Sequence, residues 1–274
     1  MGRRSEAGLR RAEIGEVAAA KAVTLPDSAA RLQARDVQPG ERRLMHQRWE
    51  SLLFLHWRGA PDEIQRTLPP GLFVDTFDGH AYLGIVPFFM RHVRPLWCPS
   101  LPWLSFFQEL NVRTYVFDEA GVPGVWFYSL DCNQPLAVCA ARWLFGLPYF
   151  HATMSASRGE WTDYSCRRRD TVEHAHFRYR SASVAREAAP ESLEFFLLER
   201  YYLYARPSSG TLLRGRVSHR PYRYRDADVP DLSSLPAENN GFSQCTGAAP
   251  HHACLDEGFD VTIYRPTQVS SRAA

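Results

Sequence analysis

After residue 44, short apolar and aromatic runs bounded by polar and turn-forming residues predict strands in quick succession. Strands are predicted at 49–57, 73–76, 80–93, 108–118 and 123–130, then at 149–156, 162–168 and 174–182, and finally at 201–205, 211–219 and 258–264. Between 118 and 124 the sequence DEAGVPG has the composition of a hairpin turn. Three stretches break the pattern. Pro61-Asp62-Glu63 opens a short helix, with proline and acidic residues in its first turn. Residues 131–145 predict a longer helix, with Asp131 or Asn133 as its cap, Pro135 in its first turn, and Gly146 and Pro148 beyond its end. Residues 190–200 predict a third. Many short strands with few helices make the chain mainly β (α+β), a barrel or sandwich with helical decorations.

Residues 1–43 are rich in Ala, Arg and Glu and poor in aromatics. They are expected to form a flexible N-terminal tail, with at most a marginal helix at 13–23. One domain is expected over 44–265, followed by a C-terminal tail at 266–274. The 274 residues are 45% hydrophobic, enough for a sizeable core. A formal net charge of +2 provides no strong field toward nucleic acid or an anionic membrane. The six cysteines form no C-x-x-C pair, and residues 1–25 hold no apolar core of a signal peptide. Reduced thiols in the cytoplasm are therefore expected. No membrane span, Walker loop, G-x-S-x-G or G-x-G-x-x-G is found, so no cofactor is expected. Oligomeric state is left open.

The positive charge is almost all arginine. Of 32 basic residues, only Lys21 is a lysine. Arginine clamps anions but forms no Schiff base, so imine chemistry is disfavoured. The most informative segment is 108–116 (QELNVRTYV). On a strand, Glu109, Asn111, Arg113 and Tyr115 share one face, and Leu110, Val112, Thr114 and Val116 take the other. The polar row could grip a small carboxylate through Arg113 and exchange a proton through Glu109. It could equally be the wet side of a half-exposed antiparallel strand. Glu199-Arg200 is a second polar pair. Arg142, set in an apolar helix, must pair with a carboxylate such as Glu109 or Glu199, bind a ligand, or reach solvent. His174-x-His176 and His251-His252-Ala253-Cys254 lack the convergent ligands of a metal site, so no metal is expected. Arg214, Arg216, Arg220, Arg223 and Arg225 interleave with Tyr222 and Tyr224. With Asp226 and Asp228 following, they read as a charged edge strand rather than a nucleic-acid patch.

Several words together resemble an uncharacterised bacterial family, domain of unknown function 2071. They are LFLHW (53–57), LPPGL (68–72), VDTFDG (74–79), ELNVRTYV (109–116), GVWFYSL (124–130), LPY (147–149) and ERY (199–201). The likeness spans about 45–265. That family is similar to acetoacetate decarboxylases, so the resemblance implies a cone-shaped antiparallel β-barrel around a cavity. The decarboxylase motif reads R-E-x-x-G-x-P-K-K, its first lysine forming the imine. Here Arg142, Gly146 and Pro148 match, while Tyr149 and Phe150 stand where the lysines would be. The resemblance therefore implies a cavity with Glu109 and Arg113 facing inward and no imine step. Glu109 and Tyr149 become the candidate catalytic residues; Asn111, Arg113, Arg142, Glu199 and Arg200 become candidates for binding a small carboxylate. Acid–base turnover of an oxo acid is one expectation. A non-catalytic metabolite binder and a barrel with no ligand are the others.

Overall fold

The computed structural model describes residues 24–269. Five short helices and fourteen strands make up the described chain. In chain order they are α1 (Ser28–Arg35), β1 (Arg43–Gly59), α2 (Pro61–Gln65), β2 (Leu72–Val74), β3 (Ala81–Pro95), β4 (Phe107–Asp118), β5 (Pro123–Cys132), α3 (Pro135–Phe145), β6 (Tyr149–Arg158) and β7 (Thr162–Arg168). There follow β8 (Ala175–Ser181), β9 (Arg186–Glu187), α4 (Leu193–Leu198), β10 (Tyr202–Ala205), β11 (Leu213–Ser218), β12 (Arg223–Asp231), α5 (Leu235–Glu238), β13 (His252–Tyr264) and β14 (Thr267–Gln268).

All the strands join one sheet, and its pairing path returns on itself twice. One circuit of neighbours runs β5-β6-β7-β8-β12-β13-β1-β3-β4 and back to β5. A second runs β13-β11-β10-β5-β4-β3-β1 and back to β13. Strands β13, β1, β3, β4 and β5 are common to both and form a shared wall. Each face of that wall therefore meets a different interior. Leu53, Leu55, Leu83, Ile85, Leu110 and Val112 pack with Tyr164, Phe177 and Tyr179 from β7 and β8. The opposite face sends Leu52, Phe54, Val86, Phe88 and Tyr115 toward Val217 of β11 and Ile263 of β13.

Alternation along the wall is interrupted by bulges that change which parity faces inward. On β1, Ser51 has φ 50°, and the register with β3 shifts between Glu50↔Phe89 and Leu55↔Ile85, while Gly258 of β13 stays opposite Glu50. Trp49 before the bulge and Leu52 and Phe54 after it consequently belong to the same interior. Gly258 is required there: its φ is 137°, and a Cβ would lie 2.4 Å from the Trp49 carbonyl oxygen.

Helix α3 begins later than its sequence predicts. Gln134 is the cap, its side chain accepting from the Leu136 N–H. Asp131 remains in β5 and pairs with Arg168 at 2.9 Å, while Asn133 accepts from the Gln108 N–H. Gly146 ends the helix at φ 63°, as expected. The predicted helix at 190–200 contracts to α4, capped by Ser192. The last predicted strand starts six residues earlier than expected, and the end of the charged Arg/Tyr run, Arg223–Arg225, opens β12. β12 is not the expected edge: it pairs with β8, β9 and β13. Tyr222 and Tyr224 are buried, and Arg214, Arg220 and Arg225 pair with Asp118, Asp256 and Glu257.

The expectation of a flexible segment up to residue 43 needs correction for its described part; the marginal helix at 13–23 lies outside the described residues. α1 carries no broad apolar face, but it docks through charge. Arg31 grips the buried Asp75 carboxylate with contacts of 2.6 and 3.0 Å, and Ala34 is buried beside it. Asp75 also receives Arg200 at 2.6 Å. At the other end, β14 pairs with β11 inside the expected C-terminal tail. All six cysteines are free thiols, four of them buried. No described helix is long and apolar enough to cross a membrane.

Asp75 thus holds two buried guanidiniums. Replacing it (Asp75→Ala) leaves both without their carboxylate and should cost about 3–5 kcal/mol of stability, read from urea denaturation. A loss below about 1 kcal/mol would mean that α1 and Arg200 are held by other contacts.

Candidate functional site

A cavity of about 380 Å³ lies inside the second circuit. Its walls are mostly apolar and aromatic, among them Trp49, Val86, Phe88, Met90, Phe107 and Phe127. Against this lining Glu109, Asn111, Arg113, Tyr149 and Arg200 stand out as polar, with Gln47 and Arg94 also on the wall. β4 supplies three of them at alternate positions. Its buried residues lie on both faces, which excludes the half-exposed strand that the alternation also allowed. The row points into the cavity because β4 is part of the shared wall, and the other interior takes Leu110 and Val112.

Arg113 is 7% exposed, and no carboxylate lies within ion-pair distance of it among the described residues. Its Nη2 donates a long 3.4 Å hydrogen bond to the Tyr115 hydroxyl, and its Nε is enclosed without a partner. The guanidinium stacks over Phe54 at 5.2 Å and Tyr115 at 5.6 Å. Cation–π contacts offset about 0.5–2 kcal/mol, less than the several kcal/mol that desolvating a charge costs. Arg200 approaches the other side of Tyr115, 5.0 Å from its ring. It is fixed by Asp75 and by the Phe196 carbonyl, but its Nη2 is enclosed without a partner. Burial, and then the nearby Arg31, lower its pKa to about 10, so it stays charged near neutral pH. Asp75 is thus taken by Arg31 and Arg200, Arg113 stands without a carboxylate among the described residues, and this part of the interior carries surplus positive charge.

Glu109 sits in separate surroundings. Tyr149 donates a 2.7 Å hydrogen bond to its Oε2. Burial drives the carboxyl pKa up to about 7, although hydrogen bonds from Tyr149 and Asn111 pull the other way. Burial also holds the Tyr149 phenol well above its ordinary value, so it acts as a neutral donor. The Asn111 side-chain oxygen is enclosed without a partner. A carboxyl poised near neutrality beside a phenol can give or take a proton.

The model of the uncharacterized conserved protein family, domain of unknown function 2071, matches residues 46–260. The chain belongs to that family. A curated relative of the family member is the uncharacterized protein YqjF of Bacillus subtilis (strain 168), 36% identical over 188 residues, which are 68% of this chain and 77% of the relative. Two solved structures are similar in fold. The enduracididine biosynthesis enzyme MppR complexed with pyruvate has a TM-score of 0.59 at 16% identity, covering 85% of this chain and 92% of that one. An acetoacetate decarboxylase from Legionella pneumophila has a TM-score of 0.57 at 11% identity, covering 93% and 100%. At these identities the likeness shows the fold: mainly β, of the acetoacetate decarboxylase-like type.

Of the residues singled out in the sequence of this family member, five line the cavity. Two do not. Arg142 lies on the exposed side of α3 and donates from Nε to the Tyr149 carbonyl at 2.5 Å. It pairs with neither Glu109 nor Glu199. Glu199 is buried outside the cavity lining, accepting from the Tyr201 hydroxyl and the Tyr222 N–H. The sequence reading did not single out His56. Its Nε2 meets the Tyr115 hydroxyl at 2.6 Å, and its Nδ1 meets His252 Nδ1 at 2.9 Å. Burial lowers the pKa of both imidazoles, which keeps the pair neutral at pH 7. The signal was available in the even positions of β1 after Ser51, where His56 interrupts an apolar face. Among the described residues no group of three His, Cys, Asp or Glu side chains could hold a metal; His176 bonds Asp231 instead, at 2.6 Å.

The raised Glu109 pKa has a sign. Folding binds its proton more tightly, so its contribution is fully present below the unfolded value of 4.5 and is lost as pH rises toward about 7. Glu109→Gln should remove a loss on the order of 3 kcal/mol between pH 4.5 and 8, measured by urea denaturation across that range. Parallel pH profiles for the two proteins would contradict the shift.

Proposed function

We propose that the chain binds a small carboxylate inside a cone-shaped β-barrel of the acetoacetate decarboxylase-like type, and that it acts on that ligand by acid–base chemistry without a lysine imine. The observation that carries this reading is Arg113, a charged group beside an apolar cavity with no carboxylate within ion-pair distance among the described residues. An incoming carboxylate supplies that balance and accepts paired hydrogen bonds from the planar fork. Arg200 adds positive potential, and the Asn111 amide adds a polar contact. Arg142 and Glu199 act on the ligand only through their neighbours: Arg142 braces the start of β6 at Tyr149, and Glu199 braces Tyr201 and Tyr222 next to Arg200.

At the other pole, Glu109 is about half ionised near pH 7. As a carboxylate it removes a proton from a carbon next to a carbonyl of the ligand, leaving an enolate. The Tyr149 hydroxyl, lying against the same carboxylate, donates to the enolate oxygen, and Glu109 returns the proton to a different carbon. The net change is isomerisation, with no oxidant, reductant or cofactor consumed. In this reading the protein works in the cytoplasm on a soluble metabolite. Tyr149 occupies the motif position where the resemblance puts the imine lysine, and Lys21 is the chain's single lysine. That loss favours a second reading, a metabolite binder with no turnover.

Deuterium exchange separates the two. Pooled oxo acids incubated with the protein in D₂O should gain deuterium next to the carbonyl, followed by NMR. Glu109→Gln should abolish the exchange while the ligand still raises the melting temperature, by the equivalent of about 2.7 kcal/mol at 100 times Kd. A stabilising ligand recovered undeuterated from the unsubstituted protein would leave the binder reading. Exchange that survives Glu109→Gln would remove Glu109 from the chemistry.

A further inference from the structure

The order of residues along the cavity wall bears on the shape of the ligand. β3 and β4 run antiparallel beside it, and their register pairs Met90 with Phe107, Phe88 with Glu109, Val86 with Asn111, and Gly84 with Arg113. The cavity-lining residues that reach solvent, Pro95, Leu136 and Ala140, lie at the end of β3 and on α3. The mouth is therefore at the Met90–Phe107 end. Depth increases from Phe107 to Glu109 to Asn111 to Arg113. Beyond Arg113 the lining closes with buried Arg200 and Tyr222.

Glu109 and Arg113 are four residues apart on one strand face, so their backbones are about 13 Å apart. Their contacts do not overlap. Arg113 stacks on Phe54 and Tyr115, whereas Glu109 meets Tyr149. Apart from the Asn111 amide, the wall between and above them is apolar, formed by Val86, Phe88, Leu130 and Phe107. A cavity of 380 Å³ has room for about a dozen groups of water's ~30 Å³ each. A three- or four-carbon oxo acid seated on Arg113 would leave most of that apolar wall uncovered.

We infer that the natural ligand is an extended amphipathic monocarboxylate, about 10 Å long, bound head-first with its carboxylate on Arg113 and its apolar body running past Asn111 to Phe88 and Phe107. This rests on the carboxylate reading above and sharpens it. The ligand's far part, several bonds from the carboxylate, is the part that lies beside Glu109 and Tyr149. Chemistry at that position is remote from the carboxylate, unlike decarboxylation of a 3-oxo acid, where the carboxylate itself leaves.

Calorimetric titration of the full chain with butyrate, hexanoate, octanoate and octanamide tests this. Affinity should rise about 4-fold per methylene, from a burial free energy of about 0.8 kcal/mol each, or roughly 250-fold from butyrate to octanoate. Octanamide should bind at least about tenfold more weakly than octanoate. Arg113→Met should abolish the difference between octanoate and octanamide. The octanoate–octanamide comparison needs no variant, so it stands even if Arg113→Met fails to fold. Affinity independent of chain length, with the preference for carboxylate intact, would overturn the extended ligand and leave the carboxylate reading standing. Equal binding of octanoate and octanamide, or no binding by any of the four, would overturn both.

Discussion

A guanidinium held out of water beside a hollow, with no carboxylate of its own, is the constraint on which the rest of the structure turns. Among the described residues, Arg113 is anchored by a long bond to Tyr115 and by two aromatic faces. Those contacts recover a fraction of what desolvating the charge costs. The neighbouring cluster does not help, because Asp75 is already shared by Arg31 and Arg200. A fold optimised for stability alone would place an apolar side chain at residue 113. Keeping the charge makes physical sense when a partner arrives from outside, and the adjoining cavity is where such a partner fits.

The paired circuits explain how one strand can carry both a charged row and a dry environment. β4 is part of a wall with protein on each side, so its polar face looks into a lumen rather than bulk water. The same seclusion pushes Glu109 toward neutrality and leaves Arg113 charged, since a guanidinium has no accessible neutral form near pH 7. One wall thus presents a fixed positive charge deep inside and an adjustable proton donor nearer the mouth. Tyr149, at the position that the resemblance assigns to the imine lysine, cannot attack a carbonyl; its phenol is committed to Glu109. Members of this fold can therefore share a cavity and differ in the chemistry done there.

Much of this was legible in the chain itself. Apolar and aromatic runs located most of the strands, and alternation along 108–116 put Glu109, Asn111 and Arg113 on one face. Alternation could not say what that face met. A strand with one interior and one wet side shows the same pattern as a wall between two interiors, and only long-range pairing distinguishes them. Arg142 misled because its apolar helical neighbours suggested burial, whereas the helix turns it outward. α1 was missed because it docks through ion pairs, Arg31 with Asp75 and Arg35 with Glu199, which leave no periodic trace. His56 was masked by the irregularity near Ser51, where the β1–β3 register shifts and the inward parity of β1 changes in mid-strand.

The central claim is that Arg113 is retained for a ligand at the expense of the empty fold. The stability of ligand-free Arg113→Met, measured by urea denaturation against the unsubstituted protein, tests it most directly. The account expects the substituted protein to be as stable or more stable, since an unbalanced buried charge is exchanged for an apolar side chain of similar length. A loss of about 3 kcal/mol or more would identify Arg113 as half of a structural pair and contradict the account.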